Sequence, residues 1–254
     1  MQISIIQAPI FWEQPDLNRN YFEQQFHLVP ENTDLVVLPE MFTSGFTMQP
    51  QNVAEPMDGE TMDWLKKQAK KFGFAITGSL VIIENGQFYN RLVFVSPDEI
   101  VQQYDKRHLF TLACENQVYE AGKDKIIFEY QNWRICPMIC YDLRFPVFAR
   151  NIEDYDLLIY VANWPSPRIQ AWNILLQARA VENMSYVIGV NRMGEDANSH
   201  LYSGHSQVVD FMGNHVIVPQ VNEGIFTTSL SKENLQNARD KFKFLEDRDH
   251  FQLI

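Results

Sequence analysis

An apolar run over residues 135–139 breaks off at Cys140-Tyr141-Asp142, and residues 145–152 then take up a helical spacing. That order prescribes a buried strand, a sharp turn and a helix, with Cys140 on the turn. Such a turn can lift a side chain clear of the sheet edge while the first free amides of the helix point into the same space. Partial positive charge at a helix start lowers the pKa of a thiol, so the local expectation is an easily ionised Cys140. On this stretch alone a packed, inert cysteine is an equally open reading, because free cysteines are among the most buried residues.

The rest of the chain supplies the sheets around that turn. Residues 3–7 read as a strand, 17–28 as a helix, and 34–38 as a short buried strand that Pro39 stops just before Glu40. An amphipathic helix over 59–72 precedes two strands, 74–83 and 88–95, joined through Asn85-Gly86, a strong hairpin signal. Ser96-Pro97-Asp98 turns the chain into a strand over 100–104. Further strands are expected at 125–130, 156–162, 186–191, 206–211, 215–218 and 224–229, with a helix over 170–184. Strands and helices mixed in both halves, around antiparallel hairpins, favour a two-sheet α/β sandwich clad by helices over one doubly wound sheet. The 254 residues suffice for a single domain over 1–254. The tail, 231–254, starts as a short helix, and its Phe244, Leu245, Phe251 and Leu253 are expected to fold back or to cover a partner subunit.

Charge and composition narrow the function. A net charge of -11 with scattered Lys and Arg argues against nucleic acid, and no basic stripe suits a membrane surface. The N-terminus lacks a basic n-region, and the apolar stretch over 157–162 is far short of the roughly 18 residues that suggest a membrane span, so the cytoplasm is expected. Three cysteines, Cys114, Cys136 and Cys140, are an odd number without a Cys-x-x-Cys, which favours reduced thiols over disulfides or structural zinc. Cys136 and Cys140 are four apart, a weak metal signal, and the six histidines offer no complementary pair at helical ligand spacing.

Three segments share one layout: Val36-Val-Leu-Pro-Glu40, Tyr104-Asp-Lys106-Arg-His108 and Met138-Ile-Cys140-Tyr-Asp-Leu-Arg-Phe145. Each sets a reactive side chain just after an expected strand, so a carboxylate, an ammonium and a thiol are placed to converge at strand ends. In this order they resemble the signature regions of the nitrilase superfamily, a resemblance that extends to Ala162-Asn-Trp-Pro165, Gln177-Ala-Arg-Ala-Val-Glu-Asn183 and Gly204-His-Ser206. It implies an αββα sandwich, a Glu40-Lys106-Cys140 triad, a further acid at Glu115 ahead of Gly122, no metal or organic cofactor, and a homodimer packed through helices such as 144–152 and 170–184. Within the superfamily, Asp105-Lys-Arg-His-Leu-Phe110 and Cys140-Tyr-Asp-Leu-Arg-Phe-Pro146 look most like the bacterial omega-amidases of the YafV type. Those enzymes hydrolyse the terminal amide of 2-oxoglutaramate or 2-oxosuccinamate.

Residue chemistry then suggests roles. Glu40 is placed to act as general base toward Cys140, with Lys106 and the backbone amide of Tyr141 as oxyanion donors and Glu115 orienting Lys106 or the substrate. For the substrate carboxylate the candidate is Arg168, with Phe42 and Trp164 as walls; a purely packing role for Trp164 stays open. Asp142 and Arg144 are expected to pair around the turn. His108 and His205 lack an evident orienting acid, which disfavours a Cys-His dyad. The loop containing Gly45 could close over the substrate, or Gly45 could merely serve a turn. The rival readings are a nitrilase or N-carbamoyl amine amidohydrolase, a non-catalytic small-molecule or partner-binding protein, and, more distantly, a zinc enzyme.

Overall fold

The computed structural model describes residues 1–251. In chain order the elements are β1 (Gln2–Gln7), α1 (Pro15–Phe26), β2 (Leu35–Val37), α2 (Glu60–Phe72), β3 (Ala75–Glu84), β4 (Gln87–Val95), β5 (Val101–Asp105), β6 (Phe128–Tyr130), β7 (Trp133–Ile139) and α3 (Pro146–Ala149). They continue with β8 (Leu157–Ala162), α4 (Ile169–Asn183), β9 (Tyr186–Asn191), β10 (Met193–Glu195), β11 (Leu201–Ser203), β12 (Ser206–Val209), β13 (His215–Gln220), β14 (Gly224–Ser229) and α5 (Lys232–Phe242).

Two six-stranded sheets result, ordered β14-β1-β2-β3-β4-β5 and β13-β12-β9-β8-β7-β6. Both have a parallel centre, β1-β2-β3 in one and β7-β8-β9 in the other, and antiparallel flanks. Asn85 and Gly86 take φ of 51° and 78°, the pair of positive values a tight β3–β4 hairpin requires.

Alternation along the strands explains the layering. Leu35 and Val37 of β2 face the second sheet and meet Ile135, Leu157 and Ile159 there. Val36 and Leu38, one step out of phase, face Phe22 of α1 and Leu65 of α2. Strands buried on both faces read as continuous apolar runs, which is why 35–38 is wholly apolar. On the far side, Trp172, Leu176 and Ala180 of α4 cover the second sheet. The layers are therefore α, β, β, α.

Two local expectations change. Residues 145–152 do not form one helix: a five-residue 3-10 turn, Cys140–Arg144, is followed by the four-residue α3. Pro146 is the cause, because a residue before proline avoids helical dihedrals, and Phe145 sits at φ -112°, ψ 87°. The second difference is the β10–β11 hairpin, whose three-residue strands are too short for any periodicity to show in the sequence.

The tail folds back in part. Ser231 caps α5 by accepting from Asn234 N at 3.1 Å, Leu235 is buried, and Arg239 donates to Asp156 Oδ1 at 3.1 Å. Phe244 stays 54% exposed, stacked on Phe242, while Leu253 lies outside the described residues. Among the described residues no helix is long and apolar enough to cross a membrane.

Candidate active site

Three strand ends converge. Glu40 lies three residues past β2, Lys106 follows β5 directly and Cys140 follows β7 directly. On both sides of Pro39 the chain stays attached to β3: before it Leu38 N donates to Thr77 O at 2.8 Å, and after it Met41 N donates to Ser79 Oγ at 2.8 Å. The backbone of Lys106 is clamped on both sides, its N–H donating to Asn90 O at 3.0 Å and its carbonyl accepting from Gly122 N at 2.9 Å. Only glycine fits at 122, since a Cβ there would sit 2.1 Å from the Asp105 carbonyl oxygen.

The buried carboxylates bracket the ammonium. Lys106 Nζ donates to Glu40 Oε1 at 3.0 Å and to Glu115 Oε1 and Oε2 at 3.0 and 2.9 Å, and all three side chains are sealed from solvent. Glu115 also accepts from Phe110 N at 2.5 Å, which fixes it from its own loop. Glu120, its neighbour in sequence, is exposed. Glu40 is held from both sides, Oε1 accepting from Asn90 Nδ2 at 2.8 Å and Oε2 from Asn163 N at 2.7 Å. Asn163 Nδ2 further donates to the Glu40 carbonyl at 2.7 Å.

Charge follows from this geometry. Burial alone works against the Lys106 ammonium, but Glu115 and Glu40 outweigh it and hold its pKa above the usual lysine value. Burial raises the pKa of Glu115, opposed by Lys106. At Cys140, burial and the negative charge of Glu40 push the thiol well above its ordinary value, against the opposing pull of Lys106. The expectation of an easily ionised cysteine is thereby corrected. A single 3-10 turn supplies little dipole, and burial together with the anion beside the thiol outweighs it. Alkylation of Cys140 by iodoacetamide should accordingly keep accelerating above pH 9. A plateau near pH 7 in a pH–rate profile would contradict this charge assignment.

Cys140 adopts φ 44°, an uncommon value for a residue with a Cβ and one found at strained turns that present a side chain. It opens onto a pocket of about 330 Å³, near the lower end of small-molecule sites, which Lys106, Tyr141, Asn163, Trp164 and Arg168 also line. Phe46, Met48 and Phe110 give it apolar surface, and the β10–β11 hairpin contributes Asp196, His200 and Tyr202.

Phe42 is not a wall of this pocket. Met41, at φ 45°, turns the chain so that Phe42 points to the outer face of the first sheet, edge-on to Phe22 and against Gly78, whose missing Cβ leaves room for the ring. Asp142 and Arg144 do not pair. Asp142 is fully buried and accepts from Ile139 N at 3.0 Å, Tyr104 Oη at 2.7 Å and His108 N at 3.0 Å, stapling the Cys140 turn to the loop that carries Lys106. Arg144, two residues on, emerges on the opposite side of the turn and lies over Trp164 at 5.0 Å.

His108 does have an acid, since its Nδ1 is 2.7 Å from Asp142 Oδ1, yet its ring stacks on Phe145 and borders a separate recess. His205 pairs with Asn173. The Gly45 segment is no lid: Thr43, Ser44 and Thr47 are buried, and a Cβ on Gly45 would lie 3.2 Å from Trp12. Cys136 lies in the core, its thiol pushed up to about 12 by burial. Among the described residues no cluster of three His, Cys, Asp or Glu side chains is arranged to hold a metal ion.

Sequence reasoning missed Asn90 and Asn163 as partners of Glu40. A signal existed, because asparagine is depleted in strands and Asn90 sits inside β4 while Asn163 directly follows the wholly buried β8.

Comparison with known proteins agrees with this picture. The family description "Carbon-nitrogen hydrolase" matches residues 2–240. An omega-amidase YafV of Yersinia enterocolitica is 41% identical over 100% of this chain and 99% of its own. A 2-oxoglutaramate amidase of Bacillus subtilis is 31% identical over 96% of each chain. The crystal structure of XC1258 from Xanthomonas campestris, described as a CN-hydrolase superfamily protein with an arsenic adduct in the active site, superimposes with a TM-score of 0.97 at 43% identity, covering 100% of this chain and 99% of the other.

Proposed function

Because this chain belongs to the carbon-nitrogen hydrolase family, we propose that it is an omega-amidase, hydrolysing the terminal amide of 2-oxoglutaramate or 2-oxosuccinamate to the dicarboxylate and ammonia. The observation that carries the reading is the buried Glu40–Lys106–Glu115 cluster beside a pocket-lining Cys140 whose thiol is held protonated.

That protonation state fits the chemistry. As Sγ bonds to the amide carbon, its proton passes to Glu40 and the carbonyl electrons move onto oxygen. Lys106 and the Tyr141 amide receive that oxyanion. At rest the three N–H bonds of Lys106 are taken by Glu40 and Glu115, and neutralising Glu40 weakens its bond and turns one N–H toward the oxyanion. Glu40 then gives its proton to the amide nitrogen, the C–N bond breaks and ammonia leaves. Water loses a proton to the same carboxylate, adds to the thioester, and collapse of the adduct returns that proton to the departing sulfur.

Trp164 is the proposed wall and Arg168 the proposed carboxylate ligand, both in the pocket lining. Asn163 is a positioning residue: Asn163→Ala should lower kcat about 100-fold, because a carboxylate displaced by an ångström loses reactivity of that order. An unchanged kcat in steady-state assays would remove it from this role. A cytoplasmic homodimer belongs to the same proposal, supported by exposed Val147 on α3 and Ile174 and Val181 on α4; a monomer in sedimentation velocity would refute the dimer.

The function itself is tested by ammonia release from 2-oxoglutaramate, with glutamine and an aliphatic nitrile alongside, in wild type and Cys140→Ala. Release from the keto amide, lost in the variant, supports the reading. Release that survives the substitution removes Cys140, and turnover of the nitrile alone moves the enzyme to another branch.

A further inference from the structure

The Gly45 segment, though no lid, delivers one ring to the site. Gly45 at φ 75° and the bond from Thr47 N to Gly45 O at 2.9 Å tighten the chain around Phe46. The segment is pinned on either side, Glu13 N donating to Ser44 O at 2.9 Å and Tyr119 Oη to Thr47 O at 2.8 Å. Thr43, Ser44 and Thr47 are buried, while Phe46, half-buried against Met41, Val81 and Tyr119, reaches the pocket. There its ring centroid lies 5.1 Å from Lys106 Nζ. Lys106 also borders the pocket, but its side chain is sealed from solvent and its hydrogen bonds go to Glu40 and Glu115. An aromatic face thus meets an ammonium that water does not reach, the condition under which such a contact is strongest.

We propose that Phe46 is a positioning residue for the reaction, its ring face steadying the Lys106 ammonium as that group turns from Glu40 to the oxyanion. At rest two carboxylates satisfy the cation and the ring adds little. Once Glu40 has taken the Cys140 proton, one of those anions is gone and the ammonium turns toward the pocket, the side on which Phe46 stands. The electron-rich face then compensates part of the lost charge, and the bulk of the ring keeps water from competing with the oxyanion for the freed N–H. Because the contact tightens only as the oxyanion forms, it acts on kcat rather than on substrate affinity. An aliphatic side chain fills the same space without supplying the field. The inference rests on amide hydrolysis through Lys106, though not on which amide is the substrate.

The test places mono-, di- and trifluorophenylalanine at position 46 of the full chain by nonsense suppression. Each fluorine drains charge from the ring face and barely changes its size, so kcat should fall stepwise, by about tenfold with three fluorines, while KM stays within about threefold. Two amides that wild type hydrolyses, 2-oxoglutaramate and succinamate or pentanamide, should lose the same factor, since both pass through the same oxyanion. Alkylation of Cys140 by iodoacetamide, which forms no oxyanion, should hold within about twofold across the series. A flat series in kcat would reduce Phe46 to packing and overturn the proposal. Alkylation that fell in step with kcat would overturn it as well, and so would a loss confined to one amide, which would set the ring against the substrate chain. Phe46→Leu should fall at least as far as the trifluoro ring, and wild-type kcat in that variant also counts against the proposal. Should wild type ignore 2-oxoglutaramate yet hydrolyse other amides with the same stepwise loss, the omega-amidase assignment falls and this inference stands; ammonia release from no amide removes both.

Discussion

Glu40→Gln is expected to lower amidase kcat by about 10⁴-fold while making Cys140 more reactive toward iodoacetamide at pH 7 to 8. The two effects separate because the carboxylate acts in opposite senses at rest and in reaction. At rest its negative charge, after burial, raises the Cys140 pKa; without it Lys106 faces the thiol less opposed, and the thiolate becomes easier to form. In reaction Glu40 takes a proton from sulfur, delivers it to nitrogen and later activates water, and an amide side chain does none of these. The substitution also has a structural cost. Lys106, Asn90 and the Asn163 backbone all donate to Glu40, so one donor must face the new NH₂ group, costing roughly 1–3 kcal/mol. Alkylation that slowed in parallel with amide hydrolysis would mean that Glu40 maintains a thiolate in the resting enzyme.

Lys106→Met is expected to destabilise the fold by about 3–5 kcal/mol as well as to abolish most activity, because it leaves two buried carboxylates facing each other without their cation. The pH dependence carries the signature. Wild-type Lys106 has a folded pKa above its ordinary 10.5, so its contribution is complete below that value and is lost only as pH rises through the folded pKa. In the variant the burdened groups are acids. Burial already raises the pKa of Glu115, and removal of Lys106, which opposes that rise, raises it further. The folded variant then binds protons more tightly than the unfolded chain, and its stability recovers on acidification. Urea unfolding should show the largest gap from wild type near pH 8 and a smaller one near pH 5.5; a constant gap would point to lost packing rather than uncompensated charge.

Much of this site was readable from the chain because its residues interrupt patterns. Glu40 and Cys140 each close an apolar run and Lys106 follows a strand directly, and a polar side chain placed at such a strand end has few destinations other than the sheet edge. The same logic failed one or two residues later. Phe42 follows Met41, whose positive φ reverses the direction of the chain, and no sequence period records such a reversal. Asp142 and Arg144 look like neighbours of opposite charge, but a 3-10 turn sends them to opposite sides, one into the staple with Tyr104 and His108 and the other into the pocket.

What the sequence determined by itself was the layering and the strand ends, since alternation of apolar residues depends only on local geometry and on which faces must leave water. Tertiary structure decided the charge of the site. The thiol is protonated because burial and the negative charge of Glu40, brought in from the end of another strand, both disfavour its anion; Lys106 stays ionised because two carboxylates, Glu40 and Glu115, close around it; and Arg144 faces the pocket, without a carboxylate partner among the described residues, because Asp142 is occupied elsewhere. Each of these depends on through-space distances among groups up to 100 positions apart in the chain, from Glu40 to Cys140, and electrostatics in a buried site is set by those distances and by burial, neither of which a linear pattern contains.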